Sequence, residues 1–436
     1  MTRGPSPVTT ALRGAHRRIL GWAMRLTRGG AGTALLDRLP PASRLPLLRV
    51  GLDPVADLGA LRERSPVSRL PLPLGLRGWL VTGYPEVRAV LADAESFSSD
   101  FRNLVGPGGF TAAQDPGGLG MIDPPDHTRL RRLVGPEFTA HRLTRLAPFV
   151  DRVVAERLDA MEDAAARRPA DPVDLVAAFA VPVPALTISA VLGIAPEDRD
   201  EFMAHCGVRF DVTGGLDESL GAISGSLAYL QGIVAAQRTA PGDGLLGRIL
   251  LEHGDDVTDA ELAGLADGVL TGGFESTAST LALSAIVLSR DEDARRIIRE
   301  GEAAAVGALV EELLRCLSVV QVAFPRFARA RVELDGVSIE KGDVVVCSLS
   351  GANRDPRLGS GLEGLRLTRT EASHLAFGHG VHRCVGAELA RLELRIALPA
   401  LFRRFPDLAV AVEDPVFREL SIVFGVDALP VALGRR

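Results

Sequence analysis

One cysteine in this chain stands in surroundings that suit a metal-binding thiolate. Cys384 ends the run Phe377-Gly378-His379-Gly380-Val381-His382-Arg383-Cys384, which continues with Val385-Gly386. Glycines let a backbone pass close to a flat macrocycle because they carry no side chain. An apolar helical pattern follows at once, and the positive end of a helix would favour thiolate over thiol. A small buried cysteine in a turn is the plainer alternative, but these neighbours favour a thiolate ligand to haem iron.

The run Phe-Gly-x-Gly-x-His-x-Cys-x-Gly resembles the haem-binding loop of the cytochrome P450 family. The resemblance implies a haem b cofactor with Cys384 as its axial ligand and with Gly378 and Gly386 as the glycines of the loop. It also implies that Phe377 packs beside the sulfur and that His382 reaches a haem propionate. A thiolate ligand pushes electron density that favours O–O cleavage, so the resemblance points to oxygen chemistry.

A second group of reactive residues lies inside a predicted long helix. The segment Thr258-Asp259-Ala260-Glu261 has the form of a capping box, which starts a helix, and Gly272-Gly273-Phe274-Glu275-Ser276 follows within it. Two adjacent glycines weaken a helix by about 1 kcal/mol each relative to alanine. They indicate either a close approach to a cofactor or a close contact between two helices. An acid beside an alcohol can supply protons to dioxygen.

This segment resembles the oxygen-activation segment of the same family, which assigns proton delivery to Glu275 and Ser276. The family usually has threonine at the position of Ser276. Serine keeps the hydroxyl but lacks the methyl group that restrains the rotamer. Thr277 is one residue further on, about 100° around the helix, so we do not expect it to replace Ser276.

Glu312 and Arg315 are three residues apart, so they share one face of a predicted helix. An ordinary surface ion pair, which stabilises a protein little, is the plainer interpretation. Beside a haem loop they resemble the Glu-x-x-Arg signature of the family, a structural pair that supports this loop. Arg369 matches its third partner. Just before Arg369 the sequence departs from the family, which commonly has an aromatic residue, a proline and an acid at the positions of Gly359, Leu362 and Arg366.

Further basic residues match ligands of the haem propionates. His127 and Arg131 are one helical turn apart and share a face, although Arg129 and Arg132 beside them also fit a solvated basic surface. The resemblance assigns His127, Arg131 and Arg326 to the propionates. Arginine suits this task because its planar fork can bind a carboxylate bidentately. From their charge, Arg129 and Arg132 are candidates for contact with an acidic electron donor.

The substrate pocket is predicted from the resemblance. Residues 99–122 are rich in glycine and lack periodicity, so they form a long loop, which we expect to roof the pocket. A bulky, largely apolar small molecule is favoured because the expected lining is apolar and glycines leave space. An intermediate of a bacterial natural product is the best substrate class. The expected lining residues are Gly272, Gly273, Val322, Ala323, Ile422 and Val423.

The composition is that of a globular protein. The 436 residues are 47% hydrophobic, which is ample for a core, and the net charge of −6 does not suggest a nucleic-acid partner. The cysteines lie far apart, which argues against disulfide or zinc frameworks and fits the cytoplasm. No apolar stretch approaches the length of a membrane span. Lys341 is the only lysine, and this arginine-rich composition is typical of a GC-rich genome such as that of an actinobacterium.

Residues 1–45 are predicted to be a basic N-terminal extension. Arginines alternate there with apolar residues and no acid precedes Asp37, so a short amphipathic helix on a membrane or on the protein would fit. An extension that packs on the main domain or is disordered is the favoured interpretation. Residues 46–436 are predicted to form the haem-thiolate domain.

The periodicity of the chain predicts a mostly α protein with minor β, which matches a single-domain cytochrome P450 fold. Helical patterns run from Leu143 to about Arg290, with breaks near Gly193, Gly214 and Gly242. Another helix is expected from Gly386 to about Phe405. Strands are expected over residues 78–82, within residues 332–346 around a turn at Asp335-Gly336, and near the C-terminus.

The resemblance implies a monooxygenase that hydroxylates or epoxidises its substrate with electrons, protons and dioxygen. A ferredoxin and its NAD(P)H-dependent reductase are the expected electron donors, because no flavin or iron–sulfur domain is fused to the chain. Oxidative coupling of aromatic rings on the same scaffold is an alternative. Direct use of hydrogen peroxide is another, against which Glu275 and a neighbouring hydroxyl argue. A haem sensor or carrier is the third, but it would not need a pair that delivers protons.

Overall fold

A computed structural model describes residues 40–72, 75–100, 119–209, 215–369 and 373–434, apart from the side chains of residues 205–226. Within these ranges helices predominate, as the periodicity predicts. The helices are α1 (Pro41–Arg44), α2 (Ala56–Arg64), α3 (Tyr84–Ala92), α4 (Asp126–Val134), α5 (Ala140–Arg167), α6 (Pro182–Leu192), α7 (Arg199–Arg209), α8 (Gly215–Thr239), α9 (Leu245–His253), α10 (Asp259–Arg290), α11 (Glu292–Glu300), α12 (Ala303–Leu317), α13 (Leu349–Ala352) and α14 (Ala387–Arg404).

The strands are short and belong to small sheets. They are β1 (Arg49–Val50), β2 (Asp53–Pro54), β3 (Val67–Pro71), β4 (Arg77–Val81), β5 (Phe97–Ser98), β6 (Val173–Asp174), β7 (Arg326–Ala328), β8 (Val332–Leu334), β9 (Val337–Ile339), β10 (Val344–Cys347), β11 (Ala409–Val410) and β12 (Pro430–Ala432). The largest described sheet has the order β3-β4-β10-β7-β5. In it β10 runs parallel to β4, with Val344 opposite Gly78, and the other pairs are antiparallel.

Most of the predicted N-terminal extension, most of the predicted 99–122 loop and the predicted break at Gly214 lie outside the described residues. The break at Gly193 is observed, because this glycine ends α6 in a left-handed conformation with φ +82°. The turn at Asp335-Gly336 is also observed and joins β8 to β9, with φ angles of +49° and +72°. No helix in the described part of the chain combines the length and apolar character that a membrane crossing requires.

Helix α10 begins at the predicted capping box. The side chain of Thr258 accepts from the backbone N–H of Glu261 at 3.2 Å, and the carboxylate of Glu261 accepts from the backbone N–H of Thr258 at 2.9 Å. These bonds satisfy donors that a helix start leaves free. From this cap the helix runs through the core and packs against α6, α8 and α14.

The predicted helical run from Leu143 to Arg290 has an interruption after Arg167 that periodicity did not indicate. After α5 ends at Arg167, the two-residue strand β6 pairs antiparallel with β12, with Val173 opposite Val431. A strand this short shows no alternation of polar and apolar residues. Only its distant C-terminal partner defines it, so the contact is invisible in the local sequence.

Glu393 is a buried carboxyl group on α14. It is 1% exposed, and its Oε2 has no hydrogen-bond partner among the described residues. Burial raises the pKa of Glu393 well above its ordinary value. Because an unfolded glutamate has a pKa of about 4.3, the folded state binds this proton more tightly. The carboxyl group therefore costs stability progressively as the pH rises above that value.

We predict that Glu393→Met stabilises the protein by roughly 1–3 kcal/mol at alkaline pH, because it removes a buried carboxylate oxygen that has no hydrogen-bond partner among the described residues. The gain should shrink as the pH falls towards the unfolded pKa of glutamate. Urea unfolding at a series of pH values measures this, with the exposed Glu156→Met on α5 as the control. A stability gain that does not change with pH would contradict the raised pKa.

Candidate active site

Cys384 lies in the turn that leads into α14. Its backbone N–H donates to the carbonyl of Phe377 at 2.9 Å, so the loop closes on itself. Gly378 and Gly380 have φ angles of +69° and +72°, in the left-handed region that favours glycine. A Cβ atom on Gly380 would lie 2.2 Å from the carbonyl oxygen of Leu91. The loop therefore packs directly on α3, where only glycine fits.

The sulfur of Cys384 lies in an electropositive environment. The side chain of Cys384 is accessible to solvent, although the surrounding protein encloses it. It therefore faces an open space beneath the protein surface. Burial is the largest influence and raises the pKa of its thiol above the ordinary value, and the backbone N–H of Gly386 and the charges of Arg131, Arg383 and Arg391 offset this only in part. Nearby cations and a helix N-terminus favour the thiolate form of cysteine. A metal ion bound at the sulfur would itself deprotonate the thiol, so this environment suits a thiolate ligand once a metal is present.

Helix α10 borders an open space in its middle. Thr271 and Gly272 are exposed although most of the helix is buried, and a Cβ atom on Gly272 would meet no atom of the described residues within 4 Å. Gly273 differs, because its Cβ atom would lie 2.5 Å from Cδ1 of Ile188 on α6. Of the two glycines that we expected to leave space for substrate, Gly273 instead makes a close helix contact.

The hydroxyl of Ser276 points along α10. It donates to the carbonyl of Gly272 at 2.9 Å, which leaves its oxygen lone pairs able to accept a hydrogen bond. Thr277 is 4% exposed and lies on a different face. Ser276, rather than Thr277, therefore presents a hydroxyl beside the exposed stretch of the helix.

Glu275 has a cationic partner that the sequence did not indicate. Nη1 of Arg418 donates to Oε1 of Glu275 at 2.8 Å, and Nε of Arg418 donates to Oδ1 of Asp427 at 2.6 Å. Burial raises the pKa of Glu275, Arg418 opposes this, and Asp427 adds to it. A partly buried carboxyl group with a raised pKa is suited to release and regain a proton.

Two of the predicted propionate ligands are adjacent histidines. The rings of His127 and His382 have centroids 4.2 Å apart, and Nδ1 of His382 lies 3.1 Å from the carbonyl oxygen of Leu119. Both ring nitrogens of His127 and Nε2 of His382 are buried without a hydrogen-bond partner within the described ranges. Unpartnered buried nitrogens are costly. Their arrangement fits an anionic group such as a haem propionate bound beside them.

The predicted arginine ligands lie in the same region. Arg326 is 4% exposed, and its Nη1 donates to the carbonyl of Phe324 at 2.8 Å. Burial, the charge of Arg326 and the ring of His127 together lower the pKa of His382 to about 4. Arg131 is half-buried and interacts electrostatically with Cys384. These cations could balance the charges of a dicarboxylate cofactor.

Arg129 and Arg132 have different environments. Arg129 forms an ion pair with Glu261, and its Nη1 also donates to the carbonyl of Asp256 at 3.3 Å. This intramolecular pairing competes with the contact to an acidic donor that its charge suggested. Arg132 is exposed on the same helix and has no ion-pair partner among the residues that the structure describes. Of the two, Arg132 therefore fits contact with an acidic donor better.

Glu312, Arg315 and Arg369 form a buried network behind the loop. Nε and Nη2 of Arg315 donate to the two carboxylate oxygens of Glu312 at 2.8 and 2.6 Å. Nη1 of Arg369 lies 3.4 Å from Oε2 of Glu312, and its Nη2 donates to the carbonyl of Ser373 at 2.7 Å. Ser373 precedes the loop that carries Cys384. The network therefore connects α12 with the start of this loop.

The remaining donors of Arg315 hold the segment in which the sequence departs from the family. In this segment they reach the carbonyls of Leu362 and Gly364 at 2.9 and 2.7 Å, and a further bond reaches the carbonyl of Asn353, before it, at 2.9 Å. The backbone N–H of Arg366 donates to Glu312 at 2.7 Å. These contacts use backbone atoms, so the segment keeps its path although its side chains are unusual.

A second network beside the first was missed in the sequence. Glu311 accepts from Nε and Nη2 of Arg391, each at 2.7 Å, and lies 3.1 Å from Nε2 of His374. Burial opposes ionisation, but the bonds from Arg391 and His374 hold the pKa of Glu311 at about 2. The guanidinium carbon of Arg391 lies 4.6 Å from the centroid of the Phe377 ring. This network thus supports the aromatic residue that opens the loop.

The four predicted substrate contacts outside α10 are brought together by backbone pairing. Val322 forms a β-bridge with Ser348, and Val423 forms one with Val320. Ala323 and Ile422 lie beside them, and Ile422 is 59% exposed. The two segments, residues 319–323 and 422–424, therefore run side by side and present apolar side chains together.

Phe324 extends this apolar surface and was missed in the sequence. It is 53% exposed, and a Cβ atom on Gly120 would lie 2.6 Å from its ring. Gly120 belongs to the described end of the predicted roof loop. Nothing in the local pattern distinguished Phe324 from a core residue, because only the tertiary fold leaves its ring uncovered.

Comparisons with known proteins agree with this geometry. The family model described as Cytochrome P450 matches residues 243–358 and 362–424. Cytochrome P450 165B3 from Amycolatopsis orientalis is 38% identical over 400 residues, which cover 89% of this chain and 98% of that protein. Mycinamicin IV hydroxylase/epoxidase from Micromonospora griseorubida is 36% identical over 398 residues, which cover 87% of this chain and 96% of that protein.

A solved structure gives the same result. OxyC, a cytochrome P450 implicated in an oxidative C–C coupling reaction during vancomycin biosynthesis, superposes with a TM-score of 0.79 at 36% identity. The match covers 88% of this chain and 96% of the OxyC chain. The similarity therefore spans the fold rather than one motif. The chain belongs to the cytochrome P450 family of monooxygenases, which use haem-thiolate iron.

Proposed function

We propose that Cys384 is the axial thiolate of a haem b cofactor and that residues 46–436 form the catalytic domain, with residues 1–45 as an extension. The observation that carries this proposal is the accessible sulfur of Cys384 among three arginines. The buried ring nitrogens of His127 and His382 that have no hydrogen-bond partner among the described residues support it. His127, Arg131, Arg326 and His382 would hold the propionates. The loop backbone at Gly378 and Gly386 leaves room for the macrocycle. The bound haem supplies the activation of dioxygen.

Within this proposal, Ser276 and Glu275 deliver protons. The Ser276 hydroxyl donates its hydrogen bond to the carbonyl of Gly272. The lone pairs of its oxygen accept a hydrogen bond from a water or a substrate group. Glu275 is the proton reservoir, because its pKa is raised and its carboxylate meets Arg418 near the surface residue Asp427. To serve Ser276, the Glu275 side chain has to leave Arg418 or relay its proton through water.

We predict that Ser276→Ala lowers product formed per NAD(P)H consumed by about tenfold or more, since a positioned acid–base group contributes at least about 10²-fold to a proton transfer. Ser276→Thr should retain coupling, because threonine keeps the hydroxyl and restrains its rotamer. The neighbouring Thr277→Val is the matched control. Unchanged coupling in Ser276→Ala would contradict the proton-delivery role.

The substrate is proposed to be a bulky, largely apolar intermediate of natural-product biosynthesis. The support is the apolar surface formed by Val322, Ala323, Ile422 and Val423, together with the exposure of Gly272 on α10. Hydroxylation or epoxidation is the favoured reaction, as named for the relative from Micromonospora griseorubida. Oxidative coupling of aromatic rings is the second candidate, because the fold superposes closely on OxyC.

Reaction with isotopically heavy dioxygen distinguishes these two candidates. Oxygen insertion predicts that the product contains the heavy isotope, read by mass spectrometry. A coupled product with two fewer hydrogens and no heavy oxygen would establish coupling instead. Candidate substrates can be found first, because a ligand that displaces water from ferric haem shifts the Soret band.

Electrons are proposed to come from a ferredoxin and its NAD(P)H-dependent reductase in the cytoplasm. The exposed Arg132 supports this, because it is a surface cation on α4, which also carries His127 and Arg131. Acidic electron carriers bind basic surfaces by charge complementarity. Turnover with a ferredoxin and reductase, and its decrease at high salt, would test the donor.

A further inference from the structure

We infer that Gln321 is a positioning residue for the substrate pocket: its buried amide fixes the spacing between the two pocket segments, residues 319–323 and 422–424. The inference rests on the proposed function, because it takes these segments as the lining of the substrate site. It adds a role for a residue that faces away from the pocket. Gln321 is 0% exposed, yet each of its polar groups has a partner.

The amide of Gln321 joins parts of the chain that are far apart in sequence. Its Nε2 donates to the carbonyls of Ser421 at 2.7 Å and Leu47 at 3.2 Å. Its Oε1 accepts from Nε of Arg49 at 2.7 Å. Its backbone N–H donates to the carbonyl of Ile422 at 3.0 Å. One side chain thus connects both pocket segments to the turn that precedes β1.

The backbone carbonyl of Gln321 extends the same junction. It accepts from the N–H of Leu349 at 2.9 Å and from that of Ser350 at 3.2 Å. The neighbouring residues on either side make the β-bridges of the pocket, Val320 with Val423 and Val322 with Ser348. Gln321 is fully buried at this junction, whereas the flanking Val320 and Val322 are each half-buried.

Arg49 completes the junction because it binds both the amide of Gln321 and the end of α12. Its Nη2 donates to the carbonyls of Leu317 and Ser318 at 3.0 and 3.1 Å, at the end of α12. Its guanidinium carbon lies 4.6 Å from the centroid of the Phe424 ring. Arg49 therefore contacts both the end of the helix that carries Glu312 and the C-terminal pocket segment, and it holds Gln321 between them.

A buried polar network in which every group is hydrogen-bonded holds the joined segments in one arrangement, whereas an apolar contact of equal size lets the segments shift relative to each other. Without the amide, the C-terminal segment would keep its backbone bonds to residues 319–321 but lose the bond that fixes Ser421. Ile422 and Val423 follow Ser421 directly, so their distance from Val322 and Ala323 would vary. The predicted consequence is a pocket that binds a bulky apolar ligand less tightly, with little change at the iron.

Two azole ligands distinguish a change in the pocket from a change at the iron in the haem-loaded protein. Imidazole and 4-phenylimidazole both bind ferric haem through a ring nitrogen, but only the second places a bulky apolar group in the pocket. Spectral titration gives both dissociation constants. Gln321→Met, which keeps the length of the side chain, should weaken binding of 4-phenylimidazole about tenfold, the effect expected for one lost buried hydrogen-bonding group. Imidazole binding should change by less than about twofold.

Gln321→Glu is the second variant, because it keeps an acceptor for Arg49 but sets an oxygen against the carbonyls of Ser421 and Leu47. This variant should also weaken the binding of 4-phenylimidazole while leaving the binding of imidazole nearly unchanged. Ser284→Ala is the control, since Ser284 is equally buried on α10 and its hydroxyl has no partner among the described residues. It should leave both constants unchanged.

Equal changes for the two azoles, no change for either, or loss of haem from both Gln321 variants would overturn the positioning role. The proposed function is judged separately on the wild-type protein. If wild-type protein binds both azoles and its reduced CO complex has the spectrum of a thiolate-ligated haem, the proposed function stands whatever the variants show.

Discussion

Replacing Cys384 by serine should abolish product formation while leaving the fold intact. A serine hydroxyl does not supply the soft, electron-rich thiolate that favours O–O cleavage. Loss of an outer-shell partner already costs a metal site roughly 10–100-fold in activity, so loss of the axial ligand itself should cost more. Turnover with ferredoxin, reductase and an identified substrate measures the effect.

Cys316→Ser is the matched control for this substitution. Cys316 is another free cysteine, buried on α12, and its sulfur accepts from Arg354 at 3.3 Å, a bond that serine can keep. This variant should retain activity and the wild-type Soret spectrum. Equal losses in the Cys316 and Cys384 variants would show that cysteine replacement acts on folding rather than on the iron.

Arg315→Met should destabilise the protein by about 3–5 kcal/mol, the usual cost of leaving one member of a buried ion pair alone. Arg315 and Glu312 are 0% and 2% exposed, and their carboxylate–guanidinium contact is bidentate. The substitution also leaves the carbonyls of Leu362 and Gly364 without their donor. Urea unfolding measures the loss, and haem should dissociate more readily because the loop loses its support.

Arg296→Met provides the comparison. Arg296 and Asp293 form a pair with the same spacing of three residues, at 2.7 Å, but on the surface, with 61% and 64% of their side chains exposed. An exposed pair contributes at most about 1 kcal/mol. Similar losses in both variants would contradict the buried role of Arg315.

The sequence predicted those features best whose residues lie close together along the chain. The glycines around Cys384 and the capping box at Thr258 each involve only a few neighbouring residues, so the local sequence pattern is enough to predict them. The spacing of Glu312 and Arg315 is likewise local, and the structure places both on α12. A helical period is enough to bring such residues together.

Contacts between distant segments could not be derived in this way. Arg418 meets Glu275 across 143 positions of the chain, and Gln321 meets Leu47 across 274. Neither arginine nor glutamine carries a local pattern that identifies its partner. The two-residue strand β6 was missed for the same reason, because its pairing with β12 exists only in the folded protein.

The unusual residues before the haem loop show why sequence departures need not alter a fold. Arg315 and Glu312 hold this segment by its backbone at Leu362, Gly364 and Arg366. A backbone carbonyl or N–H is present whatever the side chain. The departures from the family at Gly359, Leu362 and Arg366 are therefore compatible with the same support of the loop.

The central claim is that Cys384 binds haem iron as a thiolate, and the absorption spectrum of the dithionite-reduced protein with carbon monoxide tests it most directly. The electron density pushed by a thiolate shifts the Soret band of the CO complex strongly to the red. We predict this red-shifted band for the wild-type protein and its absence from Cys384→Ser. A freshly reduced wild-type CO complex with the unshifted Soret band of a histidine-ligated haem would contradict the claim.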